Sequence, residues 1–112
     1  MLATFAALAE PHRFEIVELL RAGPLPVSDI TLRLELRQPQ VSKHLSVLKQ
    51  AGLVAVQPRA QQRLYRLDPR PLRELDAWLA RYRQCWEARL DALEQRLKQL
   101  APKTPHSPRQ PR

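Results

Sequence analysis

Apolar residues punctuate this chain at spacings that change from segment to segment, and each change marks an element. Leu2 to Ala9 is a short, nearly unbroken apolar run that predicts a helix. Pro11 suits the first turn of a second helix, where its missing N–H costs nothing. Phe14, Ile16, Val17 and Leu20 give that helix a core-facing stripe, and Gly23 with Pro24 stops it. Between Asp29 and Leu36 the apolar residues Ile30, Leu32, Leu34 and Leu36 alternate with Thr31, Arg33 and Glu35, which is the period of a strand. From Pro39 helical spacing returns: Val41, Leu45 and Leu48 share one side, Gln40, Ser42, Lys43, Ser46 and Lys49 the other, and Gly52 closes the helix. Leu53 to Gln57 and Arg63 to Leu67 read as two strands around the polar tip Pro58 to Gln62, a β-hairpin. Asp68-Pro69-Arg70-Pro71 breaks the chain. Beyond it Leu72, Leu75, Leu79, Tyr82, Trp86, Leu90, Leu93, Leu97 and Leu100 recur at steps of three and four, a long helix with a coiled-coil-like seam interrupted at Trp86. The segment from Ala101 to Arg112 is Pro-rich and basic and is expected to be disordered.

Composition narrows the picture to one small domain over residues 1–100 with this tail. The chain has 112 residues, 44% of them hydrophobic but only 5% aromatic, so the core is built from Leu, Val and Ala, a mixture that favours helices. No apolar run approaches the ~20 residues needed to span a bilayer. The start lacks the basic region and cleavage site of a signal peptide, so the protein reads as cytoplasmic. The single Cys85 has no internal partner for a disulfide, in keeping with a reducing compartment, and reads as a small buried apolar residue.

Charge is where function enters. The formal net charge is +8, and it is unevenly spread. Leu36 to Leu67 contains Arg37, Lys43, Lys49, Arg59, Arg63 and Arg66 and no Asp or Glu, whereas acids and bases nearly balance on either side. A segment purged of carboxylates points to a partner that repels them, and phosphate is the usual one. A helix exposing Gln, Ser, Lys and His, followed by a basic hairpin, is the layout of a winged helix-turn-helix. One α-helix fills the major groove, short amides and hydroxyls reach base edges, and Lys or Arg at the margins neutralise phosphates. The expected DNA contacts are Arg37, Gln38, Gln40, Ser42, Lys43, His44, Ser46 and Lys49 on the helix, with Arg59, Arg63 and Arg66 on the hairpin. His44 adjoins the apolar Leu45, so packing, phosphate binding and base reading all stand open for it. Tyr65 is expected to brace the hairpin.

The stretch LPVSDITLRLELRQPQVSKHLSVLKQAGLV, Leu25 to Val54, resembles the helix-turn-helix of the ArsR/SmtB repressors. Gln38-Pro39, Val41-Ser42, His44-Leu45, Leu48 and Ala51-Gly52-Leu53-Val54 carry the likeness, which extends to ALAEPHRFEIVELL upstream and RLYRL downstream. The resemblance implies a helix at Asp29 to Leu36 in place of the strand that periodicity suggests. It implies a glycine at the turn where this chain has Glu35, which is strained if the residue is left-handed. It implies a Ser or Thr cap where this chain has Arg37, and a glycine at the hairpin tip that is missing here. Founding members hold thiophilic metals through Cys-x-Cys in the first helix of the motif, and those positions are Pro26 and Ser28 here. Others use Asp and His pairs on the last helix, and the histidines of this chain are His12, His44 and His106. Neither usual metal site is present, so no metal and no cofactor are expected. CWEARLDALEQRL resembles the last helix of metal-independent members.

The resulting expectation is a mainly α chain with a small β-hairpin wing and a long C-terminal dimerisation helix, acting as a homodimeric repressor on a pseudo-palindromic operator. Leu2, Phe5, Leu79, Tyr82, Trp86, Leu90, Leu93 and Leu97 are the expected dimer contacts. Two rivals stand beside it: the same fold with redox or small-molecule control, and a winged-helix module that binds RNA or protein. No enzyme constellation is visible, since the chain has only Gly23 and Gly52 for a phosphate loop and no paired-carboxylate pocket.

Overall fold

The computed structural model describes residues 1–100, and the tail expected to be disordered lies outside the described residues. The element order is α1 (Leu2–Leu8), α2 (Pro11–Leu20), β1 (Leu25–Pro26), α3 (Val27–Leu34), α4 (Gln38–Gln50), β2 (Val54–Arg59), β3 (Gln62–Leu67) and α5 (Pro69–Leu100). These residues form two compact units, the first Met1–Ala77 and the second beginning at Trp78.

In the first unit, α2, α3 and α4 pack on one another around Ile16, Ile30, Val41, Leu45, Leu48 and Leu53, all of which are essentially without solvent contact. Burying an aliphatic side chain of this size stabilises the fold by roughly 1.5–3 kcal/mol. The segment expected to be helical at 29–36 is helical only as far as Leu34, within α3 and against its strand period, because Glu35 turns left-handed and ends the helix before Leu36. It buries Ile30 and half-buries Leu34, while Leu32 is left 75% exposed. Phe14, expected in the core, is instead half exposed, because the buried stripe of α2 runs through Ile16, Val17 and Leu20. Arg13 holds α1 to α2: its Nε donates to the Ala7 carbonyl at 2.8 Å and its guanidinium to that of Ala6 at 3.3 Å, satisfying carbonyls at the end of α1.

The hairpin is longer than expected. Its strands reach Arg59 and Gln62, leaving a two-residue turn at Ala60-Gln61, and Pro58 lies within β2 opposite Arg63. A third strand, the two residues of β1, pairs with β3, so the sheet order is β1-β3-β2 and β2 is an edge. An edge strand tolerates proline, which has no N–H to give a ladder. Ala60 at the tip adopts φ 55°, the left-handed region that the missing glycine would have occupied at no cost.

α5 begins three residues before the expected Leu72, because Pro69 and Pro71 sit in its first turn, where prolines are tolerated. Asp68 precedes it and accepts from the Arg70 amide at 3.1 Å and from the Arg70 guanidinium at 2.6 and 3.0 Å. Those bonds and the Arg70 charge hold the Asp68 carboxyl at about 2, well below the usual carboxylate range. Within the second unit, Trp78 and Tyr82 meet edge to face at 4.9 Å, and none of the residues of α5 is buried in the single chain.

The turn between α3 and α4 depends on Glu35, which closes α3 in the left-handed conformation, φ 57° and ψ 39°, its amide donating to the Thr31 carbonyl at 2.9 Å. A non-glycine residue pays for this conformation on the order of 1 kcal/mol. Glu35→Gly is expected to raise the unfolding free energy by about 0.5–1 kcal/mol, read from the denaturant midpoint at unchanged slope. A lower midpoint would mean that Glu35 makes contacts that outweigh the strain.

Candidate nucleic-acid interface

The candidate interface is built on α4. Its N-cap, Arg37, is extended at φ −81° and has no side-chain acceptor to offer. The cap is closed from the other direction, with the Arg37 amide donating to Gln40 Oε1 at 3.2 Å, the return half of a capping box. The far end is a Schellman close: Leu53 N donates to Leu48 O at 2.9 Å and Gly52 N to Lys49 O at 3.0 Å, with Gly52 at φ 81°. This turn buries Leu53 completely and delivers the chain into β2. Both ends of α4 are therefore set by local bonds, and its rotation is set by burial of Val41, Leu45 and Leu48.

With that stripe inward, Arg37, Gln38, Gln40, Ser42, Lys43, Ser46 and Lys49 are all exposed. Gln40 is committed in part to the cap, a role that its type alone did not disclose. On the wing, Arg59, Arg63 and Arg66 are exposed, and Arg66 lies opposite Ala55 in the ladder. Tyr65 is half-buried against the core and pairs with Val56 on one side and Leu25 on the other, the bracing place expected of it. The surface on offer thus combines amides, hydroxyls and cations along one helix and a row of arginines on a hairpin. No carboxylate occurs anywhere between Leu36 and Leu67 to oppose a phosphate.

His44 stands apart from this set. It is half-buried, and its Nδ1 lies 3.8 Å from Glu10 Oε1, while its ring centroid is 5.5 Å from that of His12. Glu10 caps α2, Oε1 accepting from the Arg13 amide at 2.9 Å and Oε2 lying 3.2 Å from His12 Nδ1. Partial burial opposes ionisation of Glu10, but the Arg13 amide, His44 and His12 together outweigh it and hold the carboxyl below its ordinary value. Glu10 and His12 were not among the expected site residues. Each reads locally as an ordinary first-turn residue, and only the packing of α2 on α4 brings His44 to them.

The expected dimer contacts are exposed in the single chain. Leu79, Tyr82, Trp86, Leu90, Leu93 and Leu97 are between 41% and 61% exposed along α5, and Leu2 and Phe5 are exposed on α1. Cys85, read from the sequence as buried, is exposed and lines a groove with Tyr82, Trp86 and Arg89. The long helix has no second layer over this seam within its own unit, so the residue meets solvent instead of a core. No helix among the described residues is long and apolar enough to cross a membrane.

Known proteins share this arrangement. Residues 10–56, which run from the α2 cap through α4 into β2, match the family model described as bacterial regulatory protein, arsR family. The chain is 45% identical over 76 residues to the HTH-type transcriptional regulator Rv2034 of Mycobacterium tuberculosis, spanning 68% of this chain and 71% of that protein. It is 30% identical over 78 residues to the transcriptional repressor SdpR of Bacillus subtilis, spanning 70% of this chain and 87% of that one. Among solved structures it resembles the homodimeric winged helix-turn-helix DNA-binding domain Mb0332 of Mycobacterium bovis, with a TM-score of 0.61 at 25% identity, covering 74% of this chain and 77% of that one. The chain is a winged helix-turn-helix protein that belongs to the arsR family of bacterial transcriptional regulators.

Proposed function

We propose that this protein is a homodimeric, sequence-specific DNA-binding repressor that places α4 in the major groove and its wing arginines on the flanking backbone. The observation that carries the reading is the outward face of α4. Helix rotation is fixed by three buried residues, and what remains outside is a set of groove-reading side chains within a carboxylate-free segment. Gln38, Gln40, Ser42 and Ser46 supply donors and acceptors for base edges. Arg37, Lys43, Lys49, Arg59, Arg63 and Arg66 supply cations for phosphates, whose neutralisation releases counterions and provides most of the non-specific affinity. Repression follows from occupying a promoter and excluding polymerase.

Pairing rests on α5. Leu79, Tyr82, Trp86, Leu90, Leu93 and Leu97 form an apolar seam at heptad-like spacing that the single chain leaves in water. A second copy related by a two-fold axis covers such a seam with itself, and the same axis presents two groove helices to a pseudo-palindrome. Leu2 and Phe5 on α1 are assigned to the dimer contact as well. The Mycobacterium bovis domain is titled homodimeric, which supports the same assembly here. Control is assigned to something other than thiophilic metals at the family's usual places, because Pro26 and Ser28 offer no thiolate and α5 has no histidine.

Two variants on α4 separate positioning from reading. Lys43→Ala is expected to weaken binding to all duplexes alike and to reduce the salt slope of log K by about 1. Gln40→Ala is expected to relax preference at one base pair by ~1–3 kcal/mol. Preference is the deciding readout for Gln40, since its loss also opens the α4 cap. Unchanged salt slope in the first and unchanged preference in the second would remove α4 from the groove.

Leu90→Glu tests the seam. A carboxylate buried there without a partner costs several kcal/mol per subunit, so the variant is expected to sediment as a monomer where the parent is a dimer. Duplex affinity should fall with it, because two half-sites would no longer be held together. A parent that is monomeric at micromolar concentration, or a variant that stays dimeric, would refute this interface.

A further inference from the structure

Glu10, His12 and His44 form the one group of His, Cys, Asp and Glu side chains among the described residues that gathers three ligand atoms. One atom from each lies within 4.8 Å of the other two. Glu10 Oε2 is 3.2 Å from His12 Nδ1, and Glu10 Oε1 is 3.8 Å from His44 Nδ1. Around a tetrahedral ion with bonds of about 2.0–2.2 Å, neighbouring ligand atoms sit roughly 3.3–3.5 Å apart. The two Glu10–His separations, one to each carboxylate oxygen, lie within a few tenths of an ångström of that spacing, and gathering all three groups on one ion requires side-chain shifts of up to about 1.5 Å. Their side chains are 31%, 43% and 20% exposed, enough for an ion to enter and for a fourth position to hold water.

Positioning comes from both helices. Glu10 is fixed by the bond from the Arg13 amide, the kind of outer support that orients a ligating carboxylate. His12 follows one residue inside the same helix start, and His44 projects from the middle of α4 beside the buried Leu45. The two imidazoles, tilted by 38° to one another, converge on the same carboxylate. A simple helix cap needs the carboxylate alone and gives no reason for two rings to share it.

We propose that Glu10, His12 and His44 bind one divalent transition-metal ion of borderline softness, with zinc as the reference ion, and that the ion staples the start of α2 to the middle of α4. Two imidazoles with a carboxylate suit zinc, nickel, cobalt or copper. An all-oxygen set for calcium or magnesium is absent, as is a thiolate for softer ions. His44 then acts as a ligand and leaves the set of groove contacts. The ion reinforces the helix that carries the DNA-facing side chains, so loading does not release the protein from DNA. The site is measured without DNA, and its failure would leave the DNA-binding reading intact.

The test is zinc titration of the untagged full chain against a chromophoric competitor, with cobalt absorption as a geometry readout. The expected result is one ion per chain, with a Kd of roughly 1 µM or tighter. Glu10→Gln keeps an acceptor for the Arg13 amide but no carboxylate, and His12→Gln alters an exposed position. Each is expected to weaken zinc at least about tenfold while still giving a single cooperative melt in chelator, with Glu10→Gln melting slightly below the parent because it lacks the ionised cap. Zinc should raise the melting temperature of the parent and of neither variant. His106→Gln, in the tail, should bind as the parent does. No binding below tens of micromolar would overturn the proposal. So would parent-like affinity in both Glu10→Gln and His12→Gln, or loss only in His106→Gln. If His44→Gln fails to fold, the other two variants decide the matter alone.

Discussion

The rotation of α4 is the constraint on which everything else depends. Val41, Leu45 and Leu48 recur at four- and three-residue steps and share one buried cluster with Ile16 and Ile30, so one stripe of the helix is committed inward. Turning the helix by even one residue position would expose one of these side chains and bury a cation or an amide without a partner. Either change costs on the order of 2 kcal/mol or more. The local bonds at the two ends of the helix then fix its length: Gln40 closes the cap at Arg37, and Leu53 closes the Schellman turn at Gly52. What faces solvent is therefore a consequence of the core, and the charge pattern acts on a face already chosen.

Electrostatics and packing have divided the chain between them. The acid-free segment begins just after Glu35 and covers the N-cap of α4, the helix itself and both long strands of the wing. Of the acids that lie close by, Glu10 accepts from the Arg13 amide at the start of α2 and Asp68 is held by Arg70 at the start of α5, while Glu35 is exposed at the end of α3. In the wing the same division appears strand by strand, since Tyr65 and Leu67 pack on the core while Arg63 and Arg66 stay in solvent. α5 repeats the theme with a different outcome. Its apolar seam has nothing to pack on within its own unit, and that missing layer is what a second copy would provide.

The elements with an unambiguous period were legible in the sequence: α4 from Val41, Leu45 and Leu48, and α5 from its leucines. Segment 29–36 was not legible from its alternation. Alternation would have put Ile30, Leu32, Leu34 and Leu36 on one face, whereas the helix directs Ile30 and Leu34 toward α2 and α4. Helical packing of Ile30 and Leu34 won, at the expense of leaving Leu32 in water. Residue type misled at Phe14 and Cys85, where an apolar side chain was assumed to be inside. Prolines misled at Pro69, where a break in the pattern was in fact a helix start supported by Asp68. Of the site, the cations and amides of α4 and the wing could be read from composition and spacing. The Glu10–His12–His44 cluster could not, because its members are brought together only by the contact of α2 with α4, and Gln40's role at the cap is equally a product of geometry.

The central claim is that the outward face of α4 reads base sequence in a two-fold assembly. The most direct measurement is selection of bound duplexes from a random pool by the untagged full chain, followed by sequencing of what is retained. The expected result is one enriched inverted repeat whose half-sites lie about 10 base pairs apart, one helical turn. Retention of duplexes with no shared motif, or of a single half-site without its inverted partner, would contradict the claim.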